Sequence, residues 1–199
     1  MIETGRVRQK ARTRDALIRA ARDLLGQGSA PTVEETAAAA AISRATAYRY
    51  FPNQRALLVA TYPEIADASL LGDSPPADPA ARLELVAEAL AHQAIEHEPE
   101  LRAMLRLSLE PDPGQREDRP FRVGRRIVWV ADALAPLQGR LPERDLDRLV
   151  FAIASAVGID ALIWLTDIAG LSRPHAVEVM RWSARALLQS ALAEHAAGA

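Results

Sequence analysis

The chain of 199 residues contains no cysteine. Disulfides, thiolate metal sites and cysteine nucleophiles are therefore excluded. Aromatic residues make up only 5%, and no run of alternating β-branched residues is long enough to form a strand. Lysine occurs once, at Lys10, against 23 arginines, which we read as genome composition and not as mechanism. The most apolar run, Val150 to Leu165, is interrupted by Asp160 and is shorter than a membrane span requires. No targeting pattern opens the chain, because Arg6 to Arg14 leads into an amphipathic helix and not an apolar one. A soluble, cytoplasmic protein with no membrane partner is expected. The four histidines (His92, His97, His175, His195) have no metal-ligand spacing, and no Gly-x-Ser-x-Gly, P-loop or dinucleotide fingerprint is present. The paired acids Asp145 and Asp147 fall at a helix start, where acids favour the helix dipole in any case. Neither catalysis nor a cofactor or metal is expected.

What is present is ordinary globular composition, 49% hydrophobic and 25% charged. The formal net charge of −2 conceals an uneven distribution. Residues 1–55 carry ten Arg or Lys against five acids, which leaves −7 for residues 56–199. Asymmetry of this kind suggests a nucleic-acid-binding end attached to something else. On charge alone, a solvated basic helix explains it equally well.

Helical signals run along the whole chain. A first helix is predicted from about Gln9 to Gly26, with Leu17, Ala21, Leu24 and Leu25 on one face, stopped by Gln27-Gly28. Thr32 and Glu35 form a capping box for a short alanine-rich helix that reaches about Ala40. Ser43 caps a helix that runs to about Tyr50 and is stopped by Pro52. Asn53 then caps another, from Gln54 to about Asp67. Gly72 to Pro79, with three prolines in eight residues, is the clearest break. Beyond it, helices are predicted over Ala80–His97, to Leu109 after Glu98-Pro99-Glu100, and over Phe121–Leu137, Glu143–Ala169 and Pro174–Ala196, with Pro142 and Pro174 at first-turn positions. The fold class is all-α: an N-terminal helix-turn-helix domain of three helices over residues 1–60, then a C-terminal bundle of about six helices over residues 61–199.

The segment AISRATAYRYF, residues 41–51, holds two arginines, a serine, a threonine and two tyrosines, and little that a core can use. Two short helices joined by a tight turn, the second presenting polar and aromatic side chains, describe a helix-turn-helix. In that motif the second helix enters the major groove of DNA. Arg44 is placed to bond guanine O6 and N7, and Ala45 to touch a thymine methyl. Thr46, Tyr48 and Tyr50 carry hydroxyls suited to phosphates. The basic arm from Arg6 to Arg14 tracks the backbone with salt-dependent affinity.

Thr32-Val33 through Leu58 resembles the DNA-binding domain of TetR-family transcriptional regulators, in which a threonine-initiated helix, a small-residue turn, Ser-Arg-x-Thr-x-Tyr-x-Tyr-Phe and a Leu-Leu helix recur in this order. Three positions depart from the pattern: Ala41 replaces the usual turn glycine, Thr36 a large aliphatic, and Gln54 an early lysine, with Arg55 beside it. The resemblance implies contacts to a double-stranded DNA operator from Thr32, Val33, Ser43, Arg44, Ala45, Thr46, Tyr48, Arg49, Tyr50, Asn53, Gln54 and Arg55, with Arg8 and Arg12 on the arm. It also implies a homodimer whose C-terminal bundle binds a small-molecule effector of unknown identity.

The C-terminal residues admit both roles. Glu143–Ala169 is apolar almost all round, so it must be buried on every side. One face can meet the core and the other a partner subunit, and together with Pro174–Ala196 it can build a four-helix, two-fold interface. Val157, Ala161, Trp164, Trp182, Leu188 and Leu192 are the candidates for that interface. His92, Met104, Trp129, Phe151 and Asp160 are polar or polarisable groups at otherwise apolar positions, and are the candidate pocket residues. Asp160 must be paired if buried, whether by a cationic ligand, by Arg125, Arg126 or Arg181, or by its mate across a dimer axis. The expected function is a homodimeric, ligand-responsive regulator, most simply a repressor released from a palindromic operator. The alternative is a DNA-binding architectural protein without an effector.

Overall fold

The computed structural model describes residues 2–61, 69–109 and 124–198. Among them no strand forms. By contact the chain divides into two compact units, residues 1–65 with 99–117 and residues 66–98 with 118–199. The division expected at residue 60 differs in one respect: residues 99–117 cluster with the N-terminal unit. The helix before them ends at His97, whose backbone (φ −111, ψ 29) leaves helical geometry, so the chain restarts at Glu98-Pro99 as a separate element.

The first unit opens with α1 (Ile2–Gly26), which starts earlier than the sequence pattern indicated. It buries Leu17, Ile18, Ala20, Ala21 and Leu25, spaced three and four apart so that one stripe faces inward. Gly28, at φ 82, ends it, and the amides of Gly28 and Ser29 donate to the Leu25 and Leu24 carbonyls at 2.9 and 3.1 Å. Only glycine adopts that backbone without cost. α2 (Val33–Ala39), α3 (Arg44–Tyr50) and α4 (Gln54–Thr61) follow. Helices of seven or eight residues are too short to hold in water by themselves. They persist here because their ends are capped and their few apolar side chains meet α1. Leu17, Ile18, Ala21, Val33, Ala37, Ala47, Phe51 and Leu57 form one cluster, and the Arg22 Nε donates to the Thr61 carbonyl at 2.7 Å, which ties α1 to α4. Thr36 is fully buried in α2, where an aliphatic was expected. Its hydroxyl donates to the Thr32 carbonyl at 2.9 Å, so the polar group is satisfied and α2 keeps its seat. The predicted continuation of α4 to Asp67 lies outside the described residues.

α6 (Glu98–Leu109) belongs, from Pro99 onward, to the first unit. The second unit is built from α5 (Pro79–Glu96), α7 (Arg125–Ala133), α8 (Glu143–Ala156), α9 (Ile159–Ile163) and α10 (Arg173–Gly198). α5 is central, packed against α7, α9 and α10. Asp78 caps it, accepting from the Ala81 amide at 3.0 Å, with Pro79 in the first turn. Its buried stripe is Leu83, Val86, Ala87, Leu90, Ala91 and Ala94. Ion pairs line its flanks. Arg181 of α10 meets Glu84 at 2.7 Å and Glu88 at 3.6 Å, and the hydrogen bond to Glu84 raises the Arg181 pKa above its ordinary value. Glu98, the one buried carboxylate among the described residues, accepts two bonds from Arg173 at 2.8 and 3.0 Å.

Two helical expectations need correction. The predicted helix over Phe121–Leu137 begins, within the described residues, at Arg125 and gives way after Ala133 to a single 3-10 turn, Ala135–Leu137, at Pro136. The predicted Glu143–Ala169 helix is broken. Val157 is extended and Gly158 lies at φ 96, ψ −164, a conformation open essentially to glycine alone. The axis bends by 44° there, and a π-helical turn, Trp164–Ile168, ends the segment. Arg126 reaches into the break, where its guanidinium donates to the Val157 carbonyl and bonds the Asp160 carboxylate at 2.8 Å. An unbroken apolar pattern hid the bend, because periodicity does not register a single glycine. Among the described residues no single helix is long and apolar enough to cross a membrane.

Candidate nucleic-acid interface

The site is assembled by caps. Thr32 Oγ1 accepts from the Glu35 amide at 3.2 Å, while Glu35 accepts from the Thr32 amide at 2.8 Å, so the α2 start is fixed by its own sequence. The Thr32 amide, and the Thr32 hydroxyl donating to the same carboxylate at 2.9 Å, hold the Glu35 carboxyl below the usual range. The turn into α3 passes through Ala41 at φ 53, the position where glycine was the expected residue. Alanine accepts the left-handed conformation at a cost, held by the Ile42 amide bonded to the Ala37 carbonyl at 2.9 Å. Ser43 then caps α3 through the Thr46 amide at 3.3 Å. Phe51 leaves the helix in an extended conformation, as a residue before proline must. Asn53 caps α4 through the Ala56 amide at 2.8 Å.

α3 buries only Ala47. Arg44, Ala45, Tyr48 and Arg49 all face outward, and the side chain of Arg44 is 74% exposed. Arg8 and Arg12 are exposed on α1. The structure thus brings the basic arm and a polar helix face into one small unit whose core is otherwise closed.

Three of the expected contact residues have other positions. Val33 is 3% exposed and sits in the core cluster, so its side chain is unavailable to DNA. Gln54 is turned inward: its amide donates to the Ala30 and Pro31 carbonyls at 2.9 and 3.1 Å, and so fastens α4 to the loop before α2. Tyr50 is half-buried against the core cluster, with the Arg49 guanidinium 5.6 Å from its ring centre. Thr46 accepts from the Ser43 hydroxyl at 2.9 Å, which leaves that hydroxyl partly engaged. Thr32, Ser43 and Asn53 are exposed caps.

Sequence reasoning passed over one contact of the arm and the role of one acid. Arg14 stacks over the Phe51 ring at 6.0 Å. Glu34, in the first turn of α2, accepts from Arg44 at 3.2 Å and from the Tyr48 hydroxyl at 2.5 Å. The Tyr48 bond is the main cause that lowers the Glu34 pKa, and the same bond raises that of Tyr48. Ten and fourteen residues separate these partners, so no local pairing rule could have joined them.

The candidate pocket residues fall in both units. His92 and Phe151 are exposed. Met104 is buried in the first unit, whereas Trp129 is buried in the second. Asp160 is paired by Arg126, one of the three arginines considered. Among the interface candidates, Val157 and Leu188 are core residues of the second unit and have no surface to offer. Ala161 and Leu192 are half-buried, while Trp164 and Trp182 are 57% and 63% exposed. Among the described residues, no cluster of histidines and acids could hold a metal ion.

A capped helix pair joined by a tight turn, with the second helix withheld from the core and set beside a basic arm, defines a helix-turn-helix DNA-binding unit. Residues 17–61 match the family model described as bacterial regulatory proteins, tetR family. This match, over 45 of the 199 residues, supports a DNA-binding transcriptional regulator of the TetR type. No curated protein matches it.

Proposed function

We propose that the protein is a homodimeric repressor that reads a palindromic operator with α3 and releases it when a small molecule binds the second unit. The observation that carries the DNA-reading part is the exposure of Arg44 on a helix that gives the core a single alanine. Such a helix contributes little to stability, and its outward side chains suit base edges and phosphates. Dimerisation is supported by the two tryptophans. Trp164 and Trp182 belong to elements that pack on one another within the second unit, yet each leaves most of its surface in water. Phe151 and Ile168 are likewise exposed. Large apolar side chains left out in numbers mark an association surface. Two-fold symmetry would then present two α3 helices to successive major grooves. An effector that favours a different spacing of those helices shifts the population away from the DNA-binding form, with a coupling of about 1–3 kcal/mol.

The test is selection from a random duplex library with the full-length protein at near-physiological salt. A palindrome with matched half-sites is expected. Arg44→Ala should lose preference at one base pair per half-site, at a cost of about 1–3 kcal/mol. Equal weakening on specific and random duplexes would show that Arg44 touches only phosphate. Binding without an enriched motif, abolished by added salt, would leave the architectural reading in place of the regulator.

A further inference from the structure

Glu34 puts a negative charge on the part of the first unit that α3 presents outward. One of its oxygens accepts from both Arg44 and Tyr48. These two residues are four apart on α3 and so project from one face, which is why a single carboxylate reaches both. As a stability device the arrangement is weak, since exposed ion pairs contribute little. As a DNA contact it is unfavourable, since a carboxylate near phosphates is repelled. What the carboxylate does supply is direction. A free arginine side chain samples many rotamers, but a bidentate bond to guanine requires the guanidinium in one plane. Glu34 engages one terminal nitrogen of Arg44 and leaves the other donors of the fork open.

We propose that Glu34 is a positioning residue that sets the sequence preference of α3. It holds Arg44 in the orientation that reads a base edge, braced by Tyr48, and its charge weakens binding to DNA at large. Glu34 therefore trades affinity for discrimination. This inference rests on the reading of α3 as the operator-reading helix. Glu35 is its natural control: it stands in the same first turn and bears the same charge, but its bonds are to Thr32. A role limited to supporting the α2 dipole or cap would belong to Glu35 at least as much as to Glu34.

The experiment selects bound sequences from a random duplex library with full-length wild type, Glu34→Gln, Glu35→Gln and Tyr48→Phe. The selected duplex and a scrambled one are then titrated over a range of salt, with a thermal melt of each protein. For Glu34→Gln, the motif should broaden at the base pair that Arg44→Ala also loses. The ratio of specific to scrambled affinity should fall roughly tenfold, while scrambled duplex binds more tightly, with a steeper salt dependence. Tyr48→Phe, which leaves the carboxylate charge in place, should lower the ratio by less and should not tighten binding to the scrambled duplex. Glu35→Gln should lower the melting temperature and leave the motif intact. An unchanged motif and ratio in Glu34→Gln, or a shift shared equally by Glu35→Gln, overturns the proposal. If wild type itself enriches no motif, the operator-reading role falls first and this inference falls with it.

Discussion

The two units solve opposite problems. In the first, short helices with few apolar residues need help to exist, and the start of each is tied by a side chain: Thr32, Ser43 and Asn53 cap α2, α3 and α4. In the second, α5, α8 and α10 run to 14 residues or more, and apolar surface is abundant enough that tryptophans are left outside. The starts of α7, α8 and α9 carry no side-chain cap. Where burial is scarce, the local signals must be strong; where burial is plentiful, they can lapse. The unit that carries the family match is the scarce one, and its α3 gives the core a single alanine.

That contrast can be broken at several points. Leu17 is fully buried at the centre of the first unit's small cluster, so Leu17→Ala should cost about 2–5 kcal/mol, read by denaturant unfolding, with loss of duplex binding at the same denaturant midpoint. In the second unit, Gly158→Ala attacks a bend instead of a core. A β-carbon there would collide with the Arg126 guanidinium, on a backbone that disfavours any side chain. A loss of about 1–3 kcal/mol for the backbone alone is expected. A straightened, equally stable protein would show that the break at Gly158 is not needed.

A smaller effect sharpens the contrast from the other side. Ala41 occupies the left-handed region at φ 53, and Ala41→Gly removes a cost of roughly 1–2 kcal/mol at the expense of roughly 0.5–1 kcal/mol in chain entropy. The net gain should be at most about 1.5 kcal/mol, visible as a small rise in melting temperature. Smallest of all is the pH response of the Glu34 cluster. The folded-state pKa of Glu34 is depressed below 4.5, chiefly by the Tyr48 hydroxyl and also by Arg44. Its contribution to stability is therefore fully present above that value and is lost as pH falls below it. Wild type and Glu34→Gln should differ in unfolding midpoint at neutral pH and converge in acid.

Much of the first unit was legible before the structure because its instructions are local. A capping box, a cap serine and a proline stop each act within four residues, and each appears where the sequence placed it. Val33 and Gln54 were misplaced for the complementary reason. A motif position says that a residue type recurs, but only packing decides whether it faces DNA, the core or a neighbouring loop. The bend at Gly158 escaped because the apolar pattern on either side is continuous and one glycine does not interrupt it.

The sequence by itself determined an all-helical fold class, the starts of the three short N-terminal helices with the stops of α2 and α3, and an α3 too polar to be core. These follow from hydrogen bonds and backbone preferences within a few residues. Tertiary structure alone decided that Glu34 meets Arg44 and Tyr48, that Arg126 fills the break beside Asp160, and that Val157 and Leu188 are inside while Trp164 and Trp182 are out. Those outcomes depend on which helix faces meet across tens of residues of chain, and that is settled by burial and shape once the helices pack.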